Sequence, residues 1–109
     1  MIIKILKFDQ SLVSLIIEGK KTSTWRLFDD KNLQVGDELV FINKQTGEEF
    51  AKAVITEIQT KEIQNLEARD HEGHGEPKSN EEILKEFQKI YGSEVVLTTV
   101  MKIVKFAII

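Results

Sequence analysis

The chain reads as an α+β domain built on a small, partly closed β-barrel with two or three flanking helices. Three observations predict this. Strand-like patterns stand at both ends of the chain, a hairpin lies between them, and two amphipathic stretches carry helix start and stop residues. The 109 residues suffice for one hydrophobic core and not for two, so a single domain over residues 1–109 is expected.

Taken in order, residues 2–8 alternate loosely, with Ile3, Ile5 and the flanking Lys4 and Lys7 marking opposite faces, and predict a strand. Asp9 is placed to cap a helix in which Leu12, Leu15 and Ile16 recur at helical spacing, and Gly19 stands where a left-handed residue would end it. Residues 22–27 are rich in β-branched and aromatic side chains and predict a second strand. Residues 28–32 form an exposed loop and Val35, Gly36 and Asp37 a turn. Strands over 38–42 and about 49–59, joined by turn residues that include Gly47, predict the hairpin. Residues 61–69 predict a short helix around Ile63 and Leu66, and 70–79, without an apolar residue, a surface loop. Ser79 or Asn80 then caps a helix with a stripe of Ile83, Leu84, Phe87, Ile90 and Tyr91, stopped by Gly92. Residues 95–109 are apolar on both faces, as expected of a strand buried on both sides and running through the middle of the fold.

Apolar residues make up 41% and charged residues 30%, which suits a folded soluble domain and neither a disordered chain nor a membrane protein. No apolar run approaches the roughly 20 residues that span a bilayer, and the N-terminus lacks a cleavable leader pattern. A cytoplasmic, monomeric protein with no membrane partner is expected. The absence of cysteine excludes disulfides, thiolate nucleophiles and cysteine-bound zinc. A net charge of −3 weighs against a strongly basic nucleic-acid binder, but lysine and arginine concentrate in residues 1–26 and the last strand is lysine-bearing and free of acids. If those segments pair in space they make one cationic face, suited to a phosphate-bearing ligand.

The densest chemistry lies in residues 19–26, Gly-Lys-Lys-Thr-Ser-Thr-Trp-Arg, directly behind the first helix. A lysine acts as nucleophile or general base only if its pKa falls by about three units from roughly 10.4. Lys21, beside the cations Lys20 and Arg26, is the candidate, although the helix macrodipole at that end favours its charged form. Thr24 is placed to act as nucleophile or to orient a water, with a glutamate of the later loop moving the proton. Strict strand alternation sets Lys21 and Thr24 on opposite faces, so cooperation requires a kink near the helix end or a lysine stem that bends around. Trp25 is either a stacking platform or a core residue, and Arg26 either an ion-pair partner or a bidentate hold on phosphate. In the loop, Asp70, His71, Glu72, His74 and Glu76 are all possible metal ligands, but histidines three apart in a glycine-broken loop do not match a helical zinc motif. No metal and no cofactor are expected.

These residues carry a resemblance to the ASCH domain family of the PUA-like barrel superfamily. The matching pieces are the first helix running into residues 19–26, Val35-Gly36-Asp37, Phe50-Ala51 through Ile58, Glu72-Gly73 ahead of Ser79-Asn80-Glu81-Glu82, and Val104-Lys105-Phe106. The resemblance implies a barrel with a cleft beside Lys21 that binds RNA or a nucleotide. Some small bacterial members resembling this chain are amidohydrolases of 4-acetylcytidine, which implies catalytic roles for Lys21, Thr24 and either Glu72 or Glu76. The leading expectation is a module that binds RNA or a modified nucleoside through Lys20, Lys21, Thr22, Thr24 and Arg26. The hydrolase is the first alternative and a protein-interaction module the second.

Overall fold

The computed structural model describes residues 3–28, 31–71 and 78–109. Among the described residues, five strands and two α-helices follow one another as β1 (Ile3–Phe8), α1 (Gln10–Ile17), β2 (Ser23–Leu27), β3 (Glu38–Asn43), β4 (Glu49–Glu62), α2 (Asn80–Tyr91) and β5 (Val100–Ile108). The strands form one curled sheet in the order β1-β3-β4-β5-β2, parallel between β1 and β3 and antiparallel elsewhere. This is the α+β half-barrel the sequence predicts. Its two open edges, β1 and β2, flank α1 in the chain.

Local signals set α1. The Asp9 carboxylate accepts hydrogen bonds from the Ser11 amide (3.0 Å) and hydroxyl (2.7 Å), and Gln45 of the β3–β4 turn donates to it at 2.9 Å. These bonds hold the Asp9 carboxyl below its ordinary range, with the Ser11 hydroxyl contributing most. At the other end Gly19 takes a left-handed conformation (φ 78°), the Gly19 amide donates to the Ile16 carbonyl and the Lys20 amide to the Leu15 carbonyl. That is the paired bonding of a Schellman C-cap. The Lys21 amide also reaches the Leu15 carbonyl, at 3.0 Å, so the backbone of Lys21 is tied to the end of the helix. In α2 the Ser79 hydroxyl accepts from the Glu82 amide, and Gly92 ends the helix at φ 108°.

Apolar side chains collect into two clusters. One, with Leu6, Phe8, Ile16, Leu39, Phe41, Ile55, Val104 and Phe106, fills the curl of the sheet. The other, with Trp25, Ile63, Leu66, Ile83, Phe87, Met101 and Ile103, packs α2 against β2 and β5. Adjacent residues Ile103 and Val104 belong to different clusters, so β5 is buried on both sides as its sequence predicts. It lies between β4 and β2, however, and the central strand is β4.

Three expectations need correction. Residues 61–69 form no α-helix: β4 runs on to Glu62, and 3-10 turns follow at Ile63–Asn65 and Ala68–His71. The amides of Ile63 and Gln64 donate to the carbonyls of Thr99 and Leu97, which competes with helical bonding. The last strand starts at Val100, because the Thr99 hydroxyl accepts from the Val96 amide and closes a turn before it. Ile90, placed in the buried stripe of α2, is 71% exposed.

Candidate functional site

A cavity of about 270 Å³ opens between the two free sheet edges. Lys7 and Phe8 from the end of β1, with Asp9 and Leu12 beyond it, form one wall. Lys21, Thr24, Trp25 and Arg26 form the opposite wall, and Ile83, Glu86, Phe87, Ile90 and Tyr91 of α2 cover it. Because β2 is an edge strand, its Thr24 and Arg26 face and its Trp25 face both border the opening. Thr24 lies opposite Val104 in the β2–β5 ladder, which fixes its height along the wall.

Lys21 is the unusual group. It is only 6% exposed, and its pKa is pushed down to about 8, first by burial and then by the Arg26 guanidinium. Burial thus overrides the helix macrodipole. The Arg26 guanidinium carbon stands 5.3 Å from the centre of the Phe8 ring, a cation–π arrangement that ties the two edges of the half-barrel together. Trp25 serves both readings: it is packed edge-on to His71 at 5.0 Å and tilted against Phe87 at 6.4 Å, and it also lines the cavity.

The sequence matches the ASCH domain family over residues 4–105. The chain belongs to that family. The fold agrees: an ASCH domain structure from Lactobacillus crispatus JV V101 superposes with a TM-score of 0.78 at 16% identity, covering 98% of this chain and 79% of that one. A protein of Enterococcus faecalis V583 gives 0.81 at 15% identity, covering 100% and 81%. A protein from Pyrococcus furiosus gives 0.64 at 22% identity, covering 100% and 98%. At these identities the likeness is one of fold. No curated protein sequence matches the chain.

Of the residues the sequence singles out, the ASCH domain brings Lys21, Thr24 and Arg26 to one cavity. The apparent conflict between Lys21 and Thr24 disappears because β2 begins only at Ser23, so strand alternation does not extend back to Lys21. Lys20 and Thr22 are exposed and do not line it; Lys20 pairs with Glu18 at 3.2 Å, and the Thr22 carbonyl accepts from the Phe106 amide. Glu72 and Glu76, with His74, lie outside the described residues. The neighbouring loop residues have other engagements: Asp70 accepts from the Lys61 ammonium at 2.8 Å and His71 packs on Trp25. For Asp70, burial works to raise the carboxyl, but the bonds from Lys61 and the Glu67 amide outweigh it and the net displacement is downward.

Sequence reasoning missed Tyr91 and Glu86 as lining residues. Tyr91 is part of the apolar stripe and reads as core, whereas Glu86 adjoins Phe87 on the helix, reads as solvated surface and forms an ion pair with Lys78. The pooled cationic face forms only in part: β2 does pair with β5, placing Arg26 opposite Lys102, but Lys4 is matched by Asp37 at 2.7 Å and Lys105 by Glu57 at 3.3 Å. Among the described residues no helix is long and apolar enough to cross a membrane.

Proposed function

We propose that this ASCH domain binds RNA or a modified nucleoside, with one base-sized unit in the cavity between β1 and β2. The observation that carries this reading is the convergence of Lys21 and Arg26, with the Thr24 hydroxyl, on a concavity walled by Phe8, Trp25 and Tyr91. Flat π-surfaces accept a base, and a few placed polar groups orient it. A guanidinium offers two parallel donors to a phosphate or a carbonyl edge. The test is titration with cytidine, read by fluorescence of Trp25, the one tryptophan of the chain. A saturable change is expected, and Arg26→Ala should weaken it by about tenfold, the loss of one charge-assisted contact. A flat titration would remove the proposal.

The depressed pKa of Lys21 favours a second reading, deacylation of 4-acetylcytidine. A neutral Lys21 amine takes a proton from the Thr24 hydroxyl, or from a water that Thr24 orients, as that oxygen attacks the acetyl carbonyl. The proton is returned to N4 as the C–N bond breaks and cytidine leaves. Attack by water gives acetate directly, whereas an acetyl ester formed on Thr24 is cleaved by a second water, so that either route adds one water and gives cytidine and acetate. Either Glu72 or Glu76 serves in that transfer. Lys21→Arg keeps the charge but cannot supply a neutral amine, so it should retain cytidine binding and lose hydrolysis. Cytidine release, followed by chromatography, should rise with pH around 8; a Lys21→Arg protein hydrolysing at the normal rate would exclude this role for Lys21.

A further inference from the structure

A second cavity, of about 370 Å³, adjoins the first. Arg26 and Tyr91 line both, so the two spaces share a wall made of a guanidinium and a phenol. Beyond that wall lie Phe28, Lys31, Leu27 and Leu33. Phe28 is 57% exposed, and Tyr91 packs against it at 5.8 Å with the rings near perpendicular. Its backbone stands at φ 49°, in the left-handed region that a bulky side chain seldom occupies. Such strain persists where surrounding structure holds it, and it is concentrated at ligand sites.

Resting on the nucleoside reading of the first cavity, we propose that the second is the subsite for an adjoining nucleotide, so that the ligand is an oligonucleotide segment of at least two linked residues. The chemistry is ordered along the cleft. The base of the first residue lies by Trp25 and Tyr91, and the linking phosphodiester lies at Arg26, on the boundary. The second base stacks on the open face of Phe28, and Lys31 meets the backbone beyond it. An exposed ring accepts any base through its π-face, and its contribution is that of one stacked base. A free nucleoside leaves this half of the cleft unused.

The experiment compares cytidine with the dinucleoside monophosphates CpA and ApC, which offer the second base in both polarities, by Trp25 fluorescence. At least one dinucleotide should bind about tenfold more tightly than cytidine, the gain expected of one stacked base and one phosphate contact. Phe28→Ala should remove most of that gain while leaving cytidine affinity within about twofold, and Phe28→Trp should retain it. Lys31→Ala should reduce the salt dependence of dinucleotide binding without changing that of cytidine. Thermal melting of each variant establishes that it is folded. Equal affinity for cytidine and both dinucleotides overturns the subsite and leaves the first cavity standing, as does a Phe28→Ala protein that weakens all three alike. Absence of binding by cytidine and by both dinucleotides removes the nucleoside reading and the subsite with it.

Discussion

Lys21 shows how much one side chain's chemistry depends on where its backbone is tied. The sequence places it after a helix, where the macrodipole favours an ammonium. The structure places it in a cavity wall beside Arg26, where its pKa falls from 10.5 to about 8. The folded protein therefore holds the proton less tightly than the unfolded chain. Below about pH 8 both states bind it, and keeping a buried ammonium costs on the order of 3 kcal/mol. Between about 8 and 10.5 the unfolded state binds more protons, so stability rises with pH across that window. Lys21→Met should accordingly be about 2–3 kcal/mol more stable than the parent in urea denaturation at pH 7, with the gap closing towards pH 10. Identical stabilities at both pH values would mean that the ammonium is adequately solvated.

At the level of elements, the turn between α1 and β2 makes the site possible. Gly19, left-handed at φ 78°, lets the Lys20 and Lys21 amides fold back onto the Leu15 carbonyl, and β2 then starts with Thr24 facing the same cavity. A methyl group at residue 19 would meet no atom within 4 Å, so the cost of Gly19→Ala is backbone strain alone, about 1–2 kcal/mol. Equilibrium unfolding should show that loss. Cytidine affinity should fall with it, because relaxing the cap moves Lys21; loss of stability with unchanged affinity would separate the cap from the site. The caps themselves, Asp9, Gly19, Ser79 and Gly92, were legible because each rests on bonds within a few residues. Residues 61–69 were not, since the amides of Ile63 and Gln64 are claimed by the carbonyls of Thr99 and Leu97, more than thirty residues away.

Over the whole molecule, β5 joins the two cores. Met101 and Ile103 face the α2 cluster while Val104 and Phe106 face the cluster inside the curl, and β5 pairs with both β4 and β2. Ile103→Ala and Val104→Ala each empty space in a different core, and should cost about 2–4 kcal/mol. Each should lower a single unfolding transition observed by Trp25 fluorescence and far-UV circular dichroism together, since a strand shared by both clusters couples them. Two separated transitions in either variant would show that the clusters unfold independently. The same connectivity leaves β1 and β2 as unpaired edges, and the candidate site lies in the gap between them.

The sequence by itself determined the strand and helix periodicities, the caps, the β3–β4 hairpin and the grouping of Lys21, Thr24 and Arg26 in one short string, because these depend on neighbours along the chain. Only the tertiary structure decided that Lys20 and Thr22 face away, that Tyr91 and Glu86 of a distant helix cover the cleft, and that Phe28 borders a second cavity. It also decided the state of Lys21. Burial and a neighbouring guanidinium set its proton affinity, and burial exists only once the two open edges of the half-barrel and α2 have been brought around it.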